Sequence, residues 1–177
     1  MRAIIVTGKL VQDHEFIYPY YRLKEEDFIV DVATKDGLEC LGALGTKIPV
    51  NINFDEMYRY EAVGRGYDLM VIPGGAKCME YLRQEEKVLD FIHEFNTGAK
   101  TIATICHGAQ MLISARVVKG RKISGYYSIK DDINNAGATY IDAPFVVDAN
   151  IITSPHYKHL GPWMKETLRI VRENTVK

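Results

Sequence analysis

The chain carries three cysteines, Cys40, Cys78 and Cys106, and only Cys106 combines an adjacent histidine with a junction between two kinds of element. It lies in ATICHGAQ, residues 103–110, where an apolar run ends and helical spacing begins. A thiol placed there faces the helix's unpaired N–H groups and the positive end of its dipole, which favour the thiolate. The hydrolase elbow uses the same placement, lifting a nucleophile on a tight turn ahead of a helix. Gly108 removes the side chain that would crowd such a turn. The His107 backbone N–H then points where an oxyanion would form, and the turn at Gly74 and Gly75 offers a second donor. Whether the His107 ring also reaches the sulfur depends on how the turn folds, because neighbouring side chains at a strand end diverge. The competing reading is a cysteine that merely packs. That reading suits Cys40 and Cys78, whereas the context of Cys106 favours a nucleophile.

These groups need a scaffold, and the chain alternates in the way that supplies one. AIIVT (3–7), FIVDVAT (28–34), YDLMVIPGG (67–75) and KTIATI (100–105) are short apolar runs that predict buried strands. PFVVDA and NIITS predict two more. Between them, residues 13–26 predict a helix with Asp13 as N-cap, Phe16, Ile17, Tyr20 and Leu23 on one face, and a kink at Pro19. EEKVLDFIHEF (85–95) predicts a helix with Val88, Phe91, Ile92 and Phe95 on one stripe, ended by Gly98. Further helices are expected over 108–116, IKDDINNAG (129–137) and about 159–173. Glycines 37, 42 and 45 ahead of KIPVNI predict an irregular excursion or hairpin over 36–50. Strands alternating with helices at this spacing imply an α/β fold, a mostly parallel sheet with helices on both faces. Sites in such folds gather beyond the carboxyl ends of the strands, and both PGG and CHG fall there.

Composition narrows the class. At 177 residues the chain is expected to form a single domain over 1–177. Its formal charge of -1, from 22 Lys plus Arg against 23 Asp plus Glu, carries no block of one sign, so neither nucleic acid nor a membrane surface is an expected partner. No apolar run is long enough to span a bilayer. An odd number of widely spaced cysteines without CxxC pairs argues for reduced thiols and a cytoplasmic setting. His156 and His159 in HYKH share a helical spacing, but two ligands make no metal site, and neither metal nor cofactor is expected.

The long run ATICHGAQMLISARVVKGRKISGYYSIKDDINNAGATYIDAPFVVDANIITS, together with IYPYYRLKEE and VIPGG, resembles the PfpI family of the ThiJ/PfpI superfamily over nearly the whole chain. The resemblance implies a flavodoxin-like three-layer sandwich with Cys106 as nucleophile on a strained elbow and His107 beside it in a triad. It implies a third member, for which Glu80 in PGGAKCMEYL stands at the matching place, reaching His107 from an adjacent subunit. Gly75 matches the oxyanion-hole glycine and Tyr126 a tyrosine near the nucleophile. A shared triad implies a homo-oligomer, a dimer or hexamer, with the YPYY segment (18–21) where subunits meet; a half-buried helix face is the alternative for those tyrosines. Relatives carry E-D-x-E in the first loop, with a protonated glutamate donating to the cysteine sulfur. This chain reads VQDHE, and Gln12 is taken to occupy that glutamate's place, as a donor that cannot shuttle a proton. SPHYKH (154–159) departs as well, with Pro155 and Tyr157 where an arginine and a proline are usual. His156 there is expected to be exposed.

The function expected on this basis is a cofactor-free cysteine enzyme acting on a small carbonyl, amide or related electrophile, with a peptidase or amide hydrolase favoured and a small molecule or peptide as substrate. The alternatives are a glyoxalase- or deglycase-like stress protein, which Gln12 counts against, and a redox sensor that oxidises Cys106.

Overall fold

The structure, a computed structural model, describes residues 1–59 and 66–175. Its core is a seven-stranded sheet. The strands in chain order are β1 (Arg2–Val6), β2 (Ile29–Thr34), β3 (Cys40–Leu41), β4 (Lys47–Ile48), β5 (Ile52–Asn53), β6 (Leu69–Ile72), β7 (Thr101–Ile105), β8 (Lys122–Ile123), β9 (Thr139–Tyr140), β10 (Val146–Asp148) and β11 (Ile151–Ser154). The helices are α1 (Asp13–Glu25), α2 (Ala76–Leu82), α3 (Glu86–Thr97), α4 (Ala109–Ser114), α5 (Lys130–Asn135) and α6 (Leu160–Thr175). The main sheet runs β10-β11-β7-β6-β1-β2-β5. Every pairing in it is parallel except β10 with β11.

Burial on both faces explains the continuous apolar character of the central strands. Ile4, Ile5, Leu69, Val71, Ile102 and Ala103 are all fully buried. Helices α1 and α6 pack together on one face, with α6 against β7 and β11. On the other, α3 packs on β7 and α4, and α4 meets α2. This is the mostly parallel sheet covered on both faces that the alternation of elements predicts, and the flavodoxin-like α/β sandwich that the resemblance implies. The excursion over 36–50 is a hairpin of β3 and β4.

Two local readings change. The N-cap of α1 is Gln12, and Asp13 is the first helical residue. The Asp13 carboxylate instead accepts the backbone N–H groups of Leu44 and Thr46 at 2.8 and 2.9 Å, pinning the hairpin loop to the helix start. The buried stripe of α1 is also rotated from the one expected: Glu15, Phe16, Pro19 and Leu23 face the sheet, while Ile17 and Tyr20 are only half-buried. The helix runs through Pro19 without a break.

The strand order reverses direction between β1 and β6, since the chain builds outward from β1 to β2 and β5 and then crosses to β6, β7 and β11. A parallel sheet opens a crevice at such a switch point. The loops leaving β1, β6 and β7 meet there.

Candidate active site

Cys106 sits in the turn directly after β7, with Ile105 still extended and Cys106 itself at φ 60°. A non-glycine residue held in the left-handed region costs about 1–3 kcal/mol and persists only where the surroundings enforce it. The neighbouring loop enforces it. A Cβ on Gly74 would stand 2.8 Å from the Cys106 Cβ and 2.6 Å from a Glu15 carboxylate oxygen, so only glycine lets the loop after β6 lie against the nucleophile. Gly75, at φ 102°, is equally fixed: a Cβ there would meet the Gln12 backbone nitrogen at 2.7 Å. Gly108 packs as expected, its Cα face close to the Ile72 carbonyl beneath the turn.

The expected donors converge on the sulfur. The backbone N–H groups of His107 and Gly75 both hydrogen-bond to the Cys106 side chain. The His107 ring, whose position the sequence left open, brings Nδ1 within 3.3 Å of Sγ. Its Nε2 lies 3.3 Å from the Ser128 hydroxyl. Burial lowers the His107 pKa, so the ring is neutral at neutral pH and able to accept a proton. Tyr126 lies tilted against it with centroids 4.7 Å apart, and the Tyr126 backbone N–H donates to the Cys106 carbonyl. Glu80 is not brought to His107 within one chain. It lies exposed on α2, paired to Lys77 at 2.5 Å.

The decisive group is one that sequence reasoning misplaces. Gln12 does not stand at the sulfur: its backbone N–H bonds the Gly74 carbonyl, and its side-chain oxygen lies 3.3 Å from His14 Nδ1. The carboxyl that reaches the thiol belongs to Glu15, the last letter of VQDHE. It is fully buried on α1 and accepts the Gly74 N–H at 2.8 Å through Oε2. Oε1 meets no donor of normal geometry. Burial pushes the Glu15 pKa up to about 7, and its interactions with the Cys106 thiol and Gly74 draw it only part of the way back. The thiol is also pushed up, first by burial and then by the Glu15 charge, against the pull of the two backbone amides. The low thiol pKa expected from the helix dipole is therefore corrected. Protonating Glu15 removes its charge, and with it one of the causes that hold the thiol up, while burial remains. Helical spacing carried the signal: residues 15, 19 and 23 fall on one stripe with apolar neighbours, and an acidic residue on a buried stripe asks for a purpose.

The remaining departures also gather at this rim. His156 is half-buried rather than exposed, its Nδ1 accepting the Lys158 N–H. A cavity of about 550 Å³ lies elsewhere, at the carboxyl ends of β1 and β2, lined by Thr7, Lys9, Thr34, Lys35, Cys40 and Tyr81 among others; Cys106 does not line it. Among the described residues no three His, Cys, Asp or Glu side chains cluster as a metal site. None of the described helices is long and apolar enough to cross a membrane.

Comparison with known proteins identifies the family. The DJ-1/PfpI family profile matches residues 1–170. The chain belongs to the DJ-1/PfpI family. It is 39% identical over 172 residues to Deglycase PfpI of Pyrococcus furiosus, covering 97% of this chain and all of that one. It is 30% identical to Protein/nucleic acid deglycase 2 of Escherichia coli, with 96% of each chain covered. Among solved structures, a two-domain protein from Anabaena variabilis containing DJ-1/ThiJ/PfpI-like and ferritin-like domains matches with a TM-score of 0.89 and 30% identity. That match covers 96% of this chain, which spans about half (49%) of the larger protein. The elbow, the PGG turn and the buried carboxyl thus belong to a DJ-1/PfpI domain.

Proposed function

We propose that this chain is a cofactor-free, cysteine-dependent enzyme of the deglycase or glyoxalase kind, acting on small α-oxoaldehydes and on the adducts they form with amines. The observation that carries the reading is the Glu15 carboxyl, with its pKa raised to about 7, against the Cys106 thiol. A general acid–base works best when its pKa lies near the working pH. The names of the Pyrococcus furiosus and Escherichia coli relatives, both deglycases, support the same choice.

The chemistry follows from that pair. Cys106 Sγ attacks the aldehyde carbon, a C–S bond forms, and the carbonyl oxygen takes up a proton to give a hemithioacetal. With an aminocarbinol as substrate, the C–N bond breaks instead and the amine leaves as the C–S bond forms. Glu15 as carboxylate removes the hydrogen from the carbon bearing sulfur, giving an enediol, and returns a proton to the adjacent carbon. The product is a thioester of a 2-hydroxy acid. Water, deprotonated by the neutral His107 ring, cleaves the C–S bond, and the thiol recovers its proton. The His107 and Gly75 amides lower the cost of negative charge on sulfur.

Gln12 in the glutamate's place counted against glyoxalase chemistry, and that objection falls with Glu15 against the thiol, which leaves amide or peptide hydrolysis as the second reading. A hydrolase also asks for a carboxylate behind His107, and within one chain Nε2 meets the Ser128 hydroxyl. A homo-oligomer would supply it, with Glu80 of one copy serving His107 of the next.

The test is NMR of ¹³C-methylglyoxal incubated with the protein in D₂O. The expected product is lactate carrying deuterium at C2, formed by the wild type and not by Cys106→Ala. No lactate from the wild type, or equal lactate from the variant, overturns the reading.

A further inference from the structure

The residues that depart from the family pattern at 154–159 do not scatter over the surface; they complete a row of rings that begins at the nucleophile's own histidine. His107 meets Tyr126 at 4.7 Å between centroids, Tyr126 meets His156 at 6.0 Å, His156 meets Tyr157 at 4.0 Å, and Tyr157 stacks on His14 at 5.1 Å. The row draws on the turn after β7, the loop after β8, the segment after β11 and the start of α1. Their rings form one collar that leads outward from Cys106.

Several ring nitrogens of the collar are already engaged by its own chain. His107 Nδ1 and Nε2 lie against Cys106 and Ser128, His156 Nδ1 accepts from Lys158, and His14 Nδ1 lies against Gln12. Burial, with Lys158 and His159 nearby, lowers the His156 pKa, so its ring is neutral when the enzyme works near neutral pH. Among the described residues no carboxylate contributes a hydrogen bond to the row. Along its length the row offers a ligand π surface, and π surface recognises flat, π-bearing groups. Tyr157 is 40% exposed, which leaves part of that surface open at the outer end.

We infer that the collar of Tyr126, His156, Tyr157 and His14 selects substrates whose carbonyl carries an aromatic or heteroaromatic substituent, over those that carry a methyl group. This rests on the α-oxoaldehyde reading of the Cys106 site. The reactive carbon is held at Sγ and the substituent lies along the rings, so the collar acts on binding and leaves the bond-making steps unchanged. Arginine and proline, usual at the places of Pro155 and Tyr157, would offer a charge and no ring.

The test compares phenylglyoxal with methylglyoxal, which present the same two reacting carbons and yield mandelate and lactate with one water each. Wild type is expected to prefer phenylglyoxal in kcat/KM by about tenfold, the size that one good ring stack supplies. Tyr157→Leu and His156→Ala should each cut that preference several-fold through KM for phenylglyoxal. A second readout needs no turnover: protection of Cys106 from iodoacetamide by mandelate and by lactate, followed by mass spectrometry. Mandelate is expected to protect at lower concentration than lactate, with the gap closing in Tyr157→Leu. If wild type turns over neither aldehyde yet keeps the mandelate preference, the reaction falls and the collar's selectivity stands. If both aldehydes react equally well and mandelate and lactate protect alike, the inference is overturned. It is overturned equally if the preference survives both substitutions, or if a second copy of the chain covers the rings.

Discussion

Cys78 and Cys106 are both buried thiols whose ionisation burial opposes, yet their surroundings differ in kind. Cys78 lies inside α2, fully enclosed, its pKa pushed up to about 12 with little beyond the Gly8 and Thr7 contacts to offset burial. Cys106 keeps 7% of its surface, stands at φ 60° at the mouth of the sheet, and shares its cleft with two aimed amides, an imidazole and a carboxyl. Burial alone therefore says nothing about reactivity. What separates the two is a place for the proton to go.

That difference can be broken most sharply by removing each sulfur. Cys106→Ala is expected to lower methylglyoxal turnover by at least about a thousandfold, while Cys78→Ala keeps the rate within about twofold and loses roughly 1 kcal/mol of stability. Steady-state assays and urea unfolding read the two effects. Iodoacetamide should label Cys106 well before Cys78.

The Glu15 charge gives the next largest effect, on stability. Its folded pKa of about 7 stands above the ordinary glutamate value of 4.5, so the native state binds more protons than the unfolded chain between those values. Stability therefore falls as pH rises through that window and stays low above it. Glu15→Gln, which keeps an acceptor for the Gly74 N–H, removes the penalty. Its stability relative to wild type should improve by about 2–3 kcal/mol between pH 5 and pH 8, measured by denaturant titration at each pH. An unchanged difference would mean that Glu15 titrates normally.

Gly75→Ala places a side chain at φ 102° against the Gln12 nitrogen and the Leu10 carbonyl. A loss of roughly 2 kcal/mol is expected, together with slower Cys106 alkylation as the Gly75 amide leaves the sulfur. Asp13→Ala, further from the thiol, frees the hairpin loop held at Leu44 and Thr46 and should cost roughly 1–2 kcal/mol at pH 7. Burial opposes the Asp13 charge, but those backbone donors outweigh it and lower its pKa. Its contribution is therefore present above the ordinary carboxylate pKa and lost as pH falls through the lowered value, so the gap between variant and wild type closes in acid.

Much of this was legible in the chain itself. The apolar runs at 3–7, 67–75 and 100–105 announced a buried parallel sheet because both faces of those strands are covered. The PGG and CHG turns announced the site because glycine is needed where two loops touch. The carboxyl was harder to place. Matching VQDHE to the E-D-x-E of relatives put Gln12 at the sulfur, but α1 begins at Asp13, and one turn of helix carries residue 15, not residue 12, inward. The ring collar was out of reach for another reason: its members come from four separated segments, and only the folded sheet edge brings them together.

The most direct measurement is kcat for methylglyoxal in Glu15→Gln beside Gln12→Ala. Loss of a general acid–base should cost Glu15→Gln roughly 10²–10⁴ in rate, while Gln12→Ala, whose side chain faces His14, stays close to wild type. If Glu15→Gln keeps its rate and Gln12→Ala loses it, the proton does not pass through the buried carboxyl, and Glu15 is not the acid–base partner of Cys106.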